Sequence, residues 1–129
     1  MSDLIRVLYI EDNRSHIELV KRMLERAGYD VQSTMLGMEG IERAVNESFD
    51  LILTDYHLPD MKGIEVVERL RATPETAELP IVMLTANNMA GDRRLSLDAG
   101  CDAYTTKPII RQELLNVIEQ ALRCHRTKV

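Results

Sequence analysis

The sequence predicts an α/β fold: a doubly wound (βα)5 three-layer sandwich, with a parallel sheet between two layers of helices. Three observations lead to it. Apolar runs alternate with amphipathic stretches five times along the chain. Those runs are apolar on both faces, as strands covered by helices on each side must be. The length, 129 residues, suits one domain that buries its own core.

In chain order, the first strand is Leu4–Ile10, β-rich and mostly apolar. "NRSHIELVKRMLERAG" follows with Ile17, Val20, Leu24 and Ala27 at helical spacing, Asn13 as N-cap and Gly28 as the stop. Val31–Thr34 is a short second strand, and Met38, Ile41 and Val45 mark the second helix. Leu51–Thr54 is the third strand, and Ile64, Val67 and Leu70 carry the third helix. "ATPETAELP" (72–80) is a loop by composition and leads into a fourth strand, "IVMLTA" (81–86). Residues 89–99 form a weaker helix, its apolar stripe interrupted by Arg93 and Arg94, and Gly100 ends it. A fifth strand, "DAYTT" (102–106), meets Pro108. The last helix starts at about Ile110 and shows the set Leu114, Val117, Ile118, Ala121 and Leu122. The chain reads as a single domain, 1–129, with its core at about 4–124 and a short basic tail.

Composition narrows the function. Hydrophobic residues make up 45% and charged residues 29%, an ordinary balance for a folded soluble protein. There is no apolar run of spanning length and no signal-peptide pattern, so no membrane role is expected. Cys101 and Cys124 supply no disulfide framework, which suits a reducing, cytoplasmic location. A formal charge of −5 argues against direct binding of nucleic acid, which needs clustered Lys and Arg. The basic end "RCHRTKV" is read as cations complementing a helix dipole.

In open parallel sheets, ligands bind at the carboxyl ends of the strands, near the point where strand order reverses. Glu11 and Asp12 follow the first strand, Asp55 the third and Lys107 the fifth, while Thr85 closes the fourth. Any one of them alone is more often a helix cap or a surface charge. Compatible chemistry after four different strands makes a site. Converging carboxylates need a cation, and oxygen ligands with room for water suit Mg²⁺ or Mn²⁺ better than zinc. Lys107 adds a compact positive charge and Thr85 a hydroxyl donor. Around Asp55, this set stabilises a transferring phosphoryl group, with the carboxylate as nucleophile and an aspartyl phosphate as product.

The run from "VLYIEDN" through "DLILTDYHLPDMKG" and "PIVMLTA" to "AGCDAYTTKPI" resembles the response-regulator receiver domain of two-component signalling, over nearly the whole chain. The resemblance implies a flavodoxin-like sheet of order 2-1-3-4-5. It implies Asp55 as phosphoacceptor, served by a histidine kinase or a histidine phosphotransfer protein. Metal would be held by the acidic pair Glu11 and Asp12, by Asp55 and by the backbone carbonyl of His57, with Glu11 acting directly or through water. Thr85 matches the switch hydroxyl, Ala86 its small neighbour, Lys107 the lysine that pairs with the phosphate and Tyr104 the aromatic switch. Lys107–Pro108 matches a peptide bond that is cis in the family. His57 and Asn87 stand where side chains tune the lifetime of the phosphoryl group. The output face would comprise the fourth helix, fifth strand and fifth helix, docking a downstream protein.

Such a domain is no enzyme for outside substrates; it catalyses only its own phosphorylation and dephosphorylation. If the chain is complete, no effector domain follows the last helix and it would signal by docking, as single-domain receivers do; cut from a hybrid kinase or a multidomain regulator, it would keep the chemistry and change the output. Two rivals are a haloacid-dehalogenase-like phosphatase, which also uses an Asp nucleophile and Mg²⁺, and a phosphorylation-independent interaction module. Against the first, His57 occupies the position two after the nucleophile where those enzymes typically place a second Asp. His16 is read as a residue of the helix's polar face, without a role.

Overall fold

All five apolar runs are strands of one parallel sheet in the computed structural model, which describes residues 4–86, 94 and 97–126. They are β1 (Ile5–Ile10), β2 (Tyr29–Thr34), β3 (Leu51–Asp55), β4 (Ile81–Thr85) and β5 (Ala103–Thr106). The order is β2-β1-β3-β4-β5. β1 therefore has β2 on one side and β3 on the other, and the chain reverses direction across the sheet at β1, which opens a crevice between the ends of β1 and β3. The register sets those ends level: Ile10 lies opposite both Thr34 and Thr54, Asp55 opposite Leu84, and Thr85 opposite Thr106.

Alternation along each strand divides the core in two. Val7, Tyr9, Leu51, Leu53, Val82 and Leu84 face helix α1 (Arg14–Arg26) and the C-terminal helix (Arg111–Arg126), meeting Val20, Leu24, Leu114 and Ile118. Leu8, Ile10, Ile52, Ile81 and Met83 face the other way, toward Ile41 of α2 (Gly37–Asn46) and Val66, Val67 and Leu70 of α3 (Gly63–Arg71). Each fully buried aliphatic side chain contributes about 1.5–3 kcal/mol, so this burial holds the layers together.

Strand ends differ from the sequence reading by one or two residues. β2 begins earlier, at Tyr29, because Asp30 and Gln32 sit on a sheet edge where polar residues are tolerated. Arg6 pairs with Asp30 at 3.6 Å, but both side chains are more than a third exposed, so the pair is worth less than about 1 kcal/mol. Buried Val31 and Thr34 hold the register. β3 extends to Asp55, β4 stops at Thr85 and leaves Ala86 exposed, and the last helix starts one residue late.

The predicted caps are present. Asn13 Oδ1 accepts from the His16 N–H at 3.2 Å, and Gly28 takes φ +96° after α1. Gly100, at φ +115°, follows the helical residues 97–99. Arg94 is helical too, while residues 89–93, 95 and 96 of the predicted fourth helix, with Arg93, lie outside the described residues, as do 127–129 of the basic tail. Cys101 is buried, and its thiol is pushed up to about 12 by desolvation, so it is a packing residue rather than a reactive thiolate. Among the described residues, no helix is long and apolar enough to cross a membrane.

Candidate functional site

Each strand of the crevice delivers one side chain. Glu11 leaves β1 while its backbone N–H still donates to Thr34 O at 3.0 Å, which keeps the residue level with the sheet edge. Its side chain is 1% exposed and fully engaged. Oε1 accepts from the Tyr9 hydroxyl at 2.9 Å and from Lys107 Nζ at 3.0 Å, and Oε2 from the Asn13 N–H at 3.2 Å. Asn13 serves as the cap of α1, so exposed Asp12 is not needed for that task.

Asp55 ends β3 in a tight setting. Gly63, the first residue of α3, donates to Tyr56 O at 2.6 Å, and a Cβ at Gly63 would collide with the Asp55 carbonyl oxygen. Only glycine lets α3 begin so close to the acid. The Asp55 carboxylate meets Lys107 Nζ at 3.2 Å. Lys107 itself is anchored by its N–H, which donates to Thr85 O at 2.8 Å, and the Lys107–Pro108 peptide is cis, as the resemblance implied.

Electrostatics sorts the two buried acids. Burial pushes the Glu11 carboxyl up, but the hydrogen bond and charge of Lys107, with the Tyr9 hydroxyl and the Asn13 N–H, outweigh it and hold the group below its ordinary value. Asp55 goes the other way. Burial and the neighbouring Glu11 charge raise it more than Lys107 and the Tyr56 N–H lower it. One oxygen each from Glu11, Asp12 and Asp55 lies within 4.8 Å of the others. Three hard oxygen donors around a solvent-facing opening at Asp12 fit a Mg²⁺-sized divalent cation, and the donor set contains no soft ligand.

The raised Asp55 value has a consequence for stability. The folded state binds more protons than the unfolded between the ordinary value of 3.8 and the raised one. Stability from this group is therefore present below 3.8 and lost as pH rises through the folded value. Asp55→Asn should raise the melting temperature of the metal-free protein at pH 7, because the burial and the Glu11 charge that disfavour the ionised carboxylate are then relieved. The gain should shrink as pH falls toward the ordinary carboxylate range. Thermal melts at pH 7, 5 and 4 check this, and a gain independent of pH would show that ionisation is not its source.

The structure thus brings Glu11, Asp12, Asp55 and Lys107 together, with fully buried Thr85 closing the adjacent strand. Tyr104, half-buried on β5, lies opposite Met83, two positions before both strands end. His57 is exposed on the loop after β3, bridged to Lys62 and with its ring edge-on to Tyr56 at 4.7 Å. Ala86 is exposed beside Thr85, and Asn87 lies outside the described residues. Two residues were missed. Tyr9, i−2 from Glu11 and on the same strand face, was a lone phenol in an aliphatic strand whose hydroxyl needed a partner. His16, read as without a role, is partly exposed on the first turn of α1, and its Nδ1 lies 3.1 Å from Lys107 Nζ and 3.5 Å from Glu11 Oε1.

Residues 7–119 match the response regulator receiver domain family. The chain is 41% identical over 118 residues to the DNA-binding dual master transcriptional regulator RpaA of Synechocystis, covering 92% of this chain and 49% of that protein; it spans about half the length of that relative. It is 34% identical over 116 residues to the polar-differentiation response regulator DivK of Brucella ovis, covering 90% of this chain and 94% of the relative. Among solved structures, the receiver domain of a sensor histidine kinase from Pseudomonas aeruginosa PAO1, with a magnesium ion coordinated in its active-site cleft, superposes with a TM-score of 0.86. The two are 32% identical, and the match covers 93% of this chain and 98% of that one. With that match over residues 7–119, these relatives in sequence and this likeness in structure, the chain belongs to the response regulator receiver domain family, the phosphoryl-accepting module of two-component signalling.

Proposed function

We propose that Asp55 is the phosphoacceptor, receiving the phosphoryl group from a histidine kinase or a histidine phosphotransfer protein. The observation that carries this is the convergence on Asp55 of an ammonium at 3.2 Å and two further carboxylates whose oxygens lie within 4.8 Å. A carboxylate oxygen of Asp55 attacks phosphorus in line with the leaving imidazole nitrogen of the donor; the P–O bond forms, the P–N bond breaks, and that nitrogen keeps the electron pair and takes up a proton. Mg²⁺ (or Mn²⁺), when bound, neutralises charge on the phosphoryl oxygens.

Asp12 and Asp55 are the direct side-chain ligands in this reading, with the backbone carbonyl of His57. Glu11 acts through water, since both its oxygens already accept hydrogen bonds from Tyr9, Lys107 and Asn13. Lys107 supplies N–H donors and Thr85 a hydroxyl to the new phosphoryl oxygens. The movement of Thr85 is passed to Tyr104, and the face that includes β5 and the C-terminal helix binds a downstream protein in a state-dependent way. Ala86 leaves room for that movement. His57 and Asn87 set how fast water removes the phosphoryl group. The domain turns over only its own phosphoryl group and binds neither nucleic acid nor membrane.

The test is incubation with acetyl phosphate, with and without Mg²⁺, followed by intact mass, beside Asp55→Asn. A single labile, Mg²⁺-dependent adduct, absent in the variant, is expected. Steady release of phosphate from varied substrates without an adduct would instead identify a phosphatase.

A further inference from the structure

Lys107 has more partners at this site than its two carboxylates. An ammonium offers three N–H donors and no acceptor. In the structure Lys107 Nζ faces Glu11 Oε1 at 3.0 Å, Asp55 Oδ1 at 3.2 Å and His16 Nδ1 at 3.1 Å. Because an ammonium cannot accept, a hydrogen bond at this third contact has lysine as donor and His16 Nδ1 as acceptor; Nδ1 also lies 3.5 Å from Glu11 Oε1. His16 is placed for it by its own turn: its N–H donates to the Asn13 cap at 3.2 Å, and the Asn13 N–H donates to Glu11 Oε2 at 3.2 Å. One short loop thus orients both the acid and the imidazole.

The three acceptors differ in what else claims them. Asp55 is a direct ligand of the cation in the proposed reading and Glu11 a water-mediated one, so a cation at this cluster draws both carboxylates away from Lys107. His16 lies outside that competition. We propose that His16 is a positioning residue that retains Lys107 at the crevice as the carboxylates turn to the metal, leaving two lysine N–H groups for phosphoryl oxygens. This role rests on the phosphoacceptor reading for its purpose, though not for its geometry.

The test is a double-mutant cycle of His16→Ala and Lys107→Met, read as Mg²⁺ affinity from backbone-amide shifts at low temperature. In the Lys107 background, His16→Ala should weaken Mg²⁺ about fivefold, the worth of one hydrogen bond that no longer draws lysine off the carboxylates. His16→Asn should recover most of that, because its Oδ1 stands where Nδ1 stood. In the Lys107→Met background, His16→Ala should change nothing. Equal weakening in both backgrounds, or none in either, would overturn the proposal. A second measurement needs no variant of Lys107: the ¹⁵N spectrum of the His16 ring should show Nδ1 unprotonated and Nε2 protonated, and the opposite tautomer would also overturn it. Acetyl phosphate run in parallel separates the two readings, since a wild type without an adduct sinks the phosphoacceptor and leaves the Mg²⁺ cycle to decide on His16.

Discussion

Lys107→Met should lower the melting temperature of the metal-free protein by roughly 8–12 °C, and millimolar Mg²⁺ should restore most of the loss. Lys107 bridges Glu11 at 3.0 Å and Asp55 at 3.2 Å, and both acids are buried, at 1% and 7% exposure. Methionine keeps the apolar stem and deletes the charge. Two carboxylates are then left beside each other with no cation. Stripping one partner from a fully buried pair costs about 3–5 kcal/mol. Here the opening at Asp12 admits water, so about 2–3 kcal/mol is expected, which gives the stated shift for a domain of this size. A divalent cation binding the folded state alone restores stability by mass action.

The acid limb should change as well. Glu11 is held below its ordinary value of 4.5, so its contribution is present above 4.5 and lost as pH falls through the folded value. Without Lys107 that limb moves to higher pH. Melts over pH 3–8 with and without Mg²⁺ check both points; an equal Mg²⁺ increment in wild type and variant would refute the idea that lysine and metal serve the same carboxylates.

Arg71→Met should cost more, about 3–4 kcal/mol, at a place remote in chemistry from the acids. The guanidinium of Arg71 is a hub. Nε donates to Gly100 O at 2.9 Å, Nη1 to Leu79 O at 2.6 Å and Ala77 O at 3.1 Å, and Nη2 to Asp102 Oδ2 at 2.9 Å. Asp102 in turn accepts the Ile81 N–H at 2.8 Å, so a single side chain ties the end of α3 to the starts of β4 and β5. Methionine has similar reach and no donors, which leaves three carbonyls and a carboxylate to find other partners in a partly buried place. Lysine should recover only part of the loss, because an ammonium cannot reproduce the planar fork. Urea unfolding measures the difference, and amide exchange at Ile81 and Asp102 should quicken first. A loss below about 1 kcal/mol would mean that water replaces the guanidinium freely.

Arg71 also shows where reading a sequence stops. Its contacts reach 29 positions to the Gly100 carbonyl, which carries no side-chain signature, and 31 positions to the Asp102 carboxylate, whose partner no local pattern names. The layers were legible because burial on both faces writes itself as unbroken apolar runs, such as Leu51–Leu53 and Ile81–Leu84. Glu11, Asp12, Asp55, Thr85 and Lys107 were legible because strand ends in such sheets converge. Strand order was not deducible from the runs alone and came through the resemblance. β2 was underestimated because an edge strand tolerates Asp30 and Gln32 and so lacks the apolar signature. His16 was passed over because a helix was treated as having one buried stripe, whereas its first turn faces the strand ends. Counting three from the Asn13 cap would have placed it there.

In the proposed reading the acceptor, Asp55, is already an anion. A hydroxyl that becomes a phosphate ester gains nearly two negative charges, whereas Asp55 starts with one and ends with about two. The chain as a whole, at a formal −5, moves by about one unit, and at physiological salt such a change fades within about 8 Å. An approaching protein therefore meets almost the same electric field in either state. Encounter rates with a partner should hardly differ between the two, and discrimination should reside in how long the complex lasts once surfaces touch.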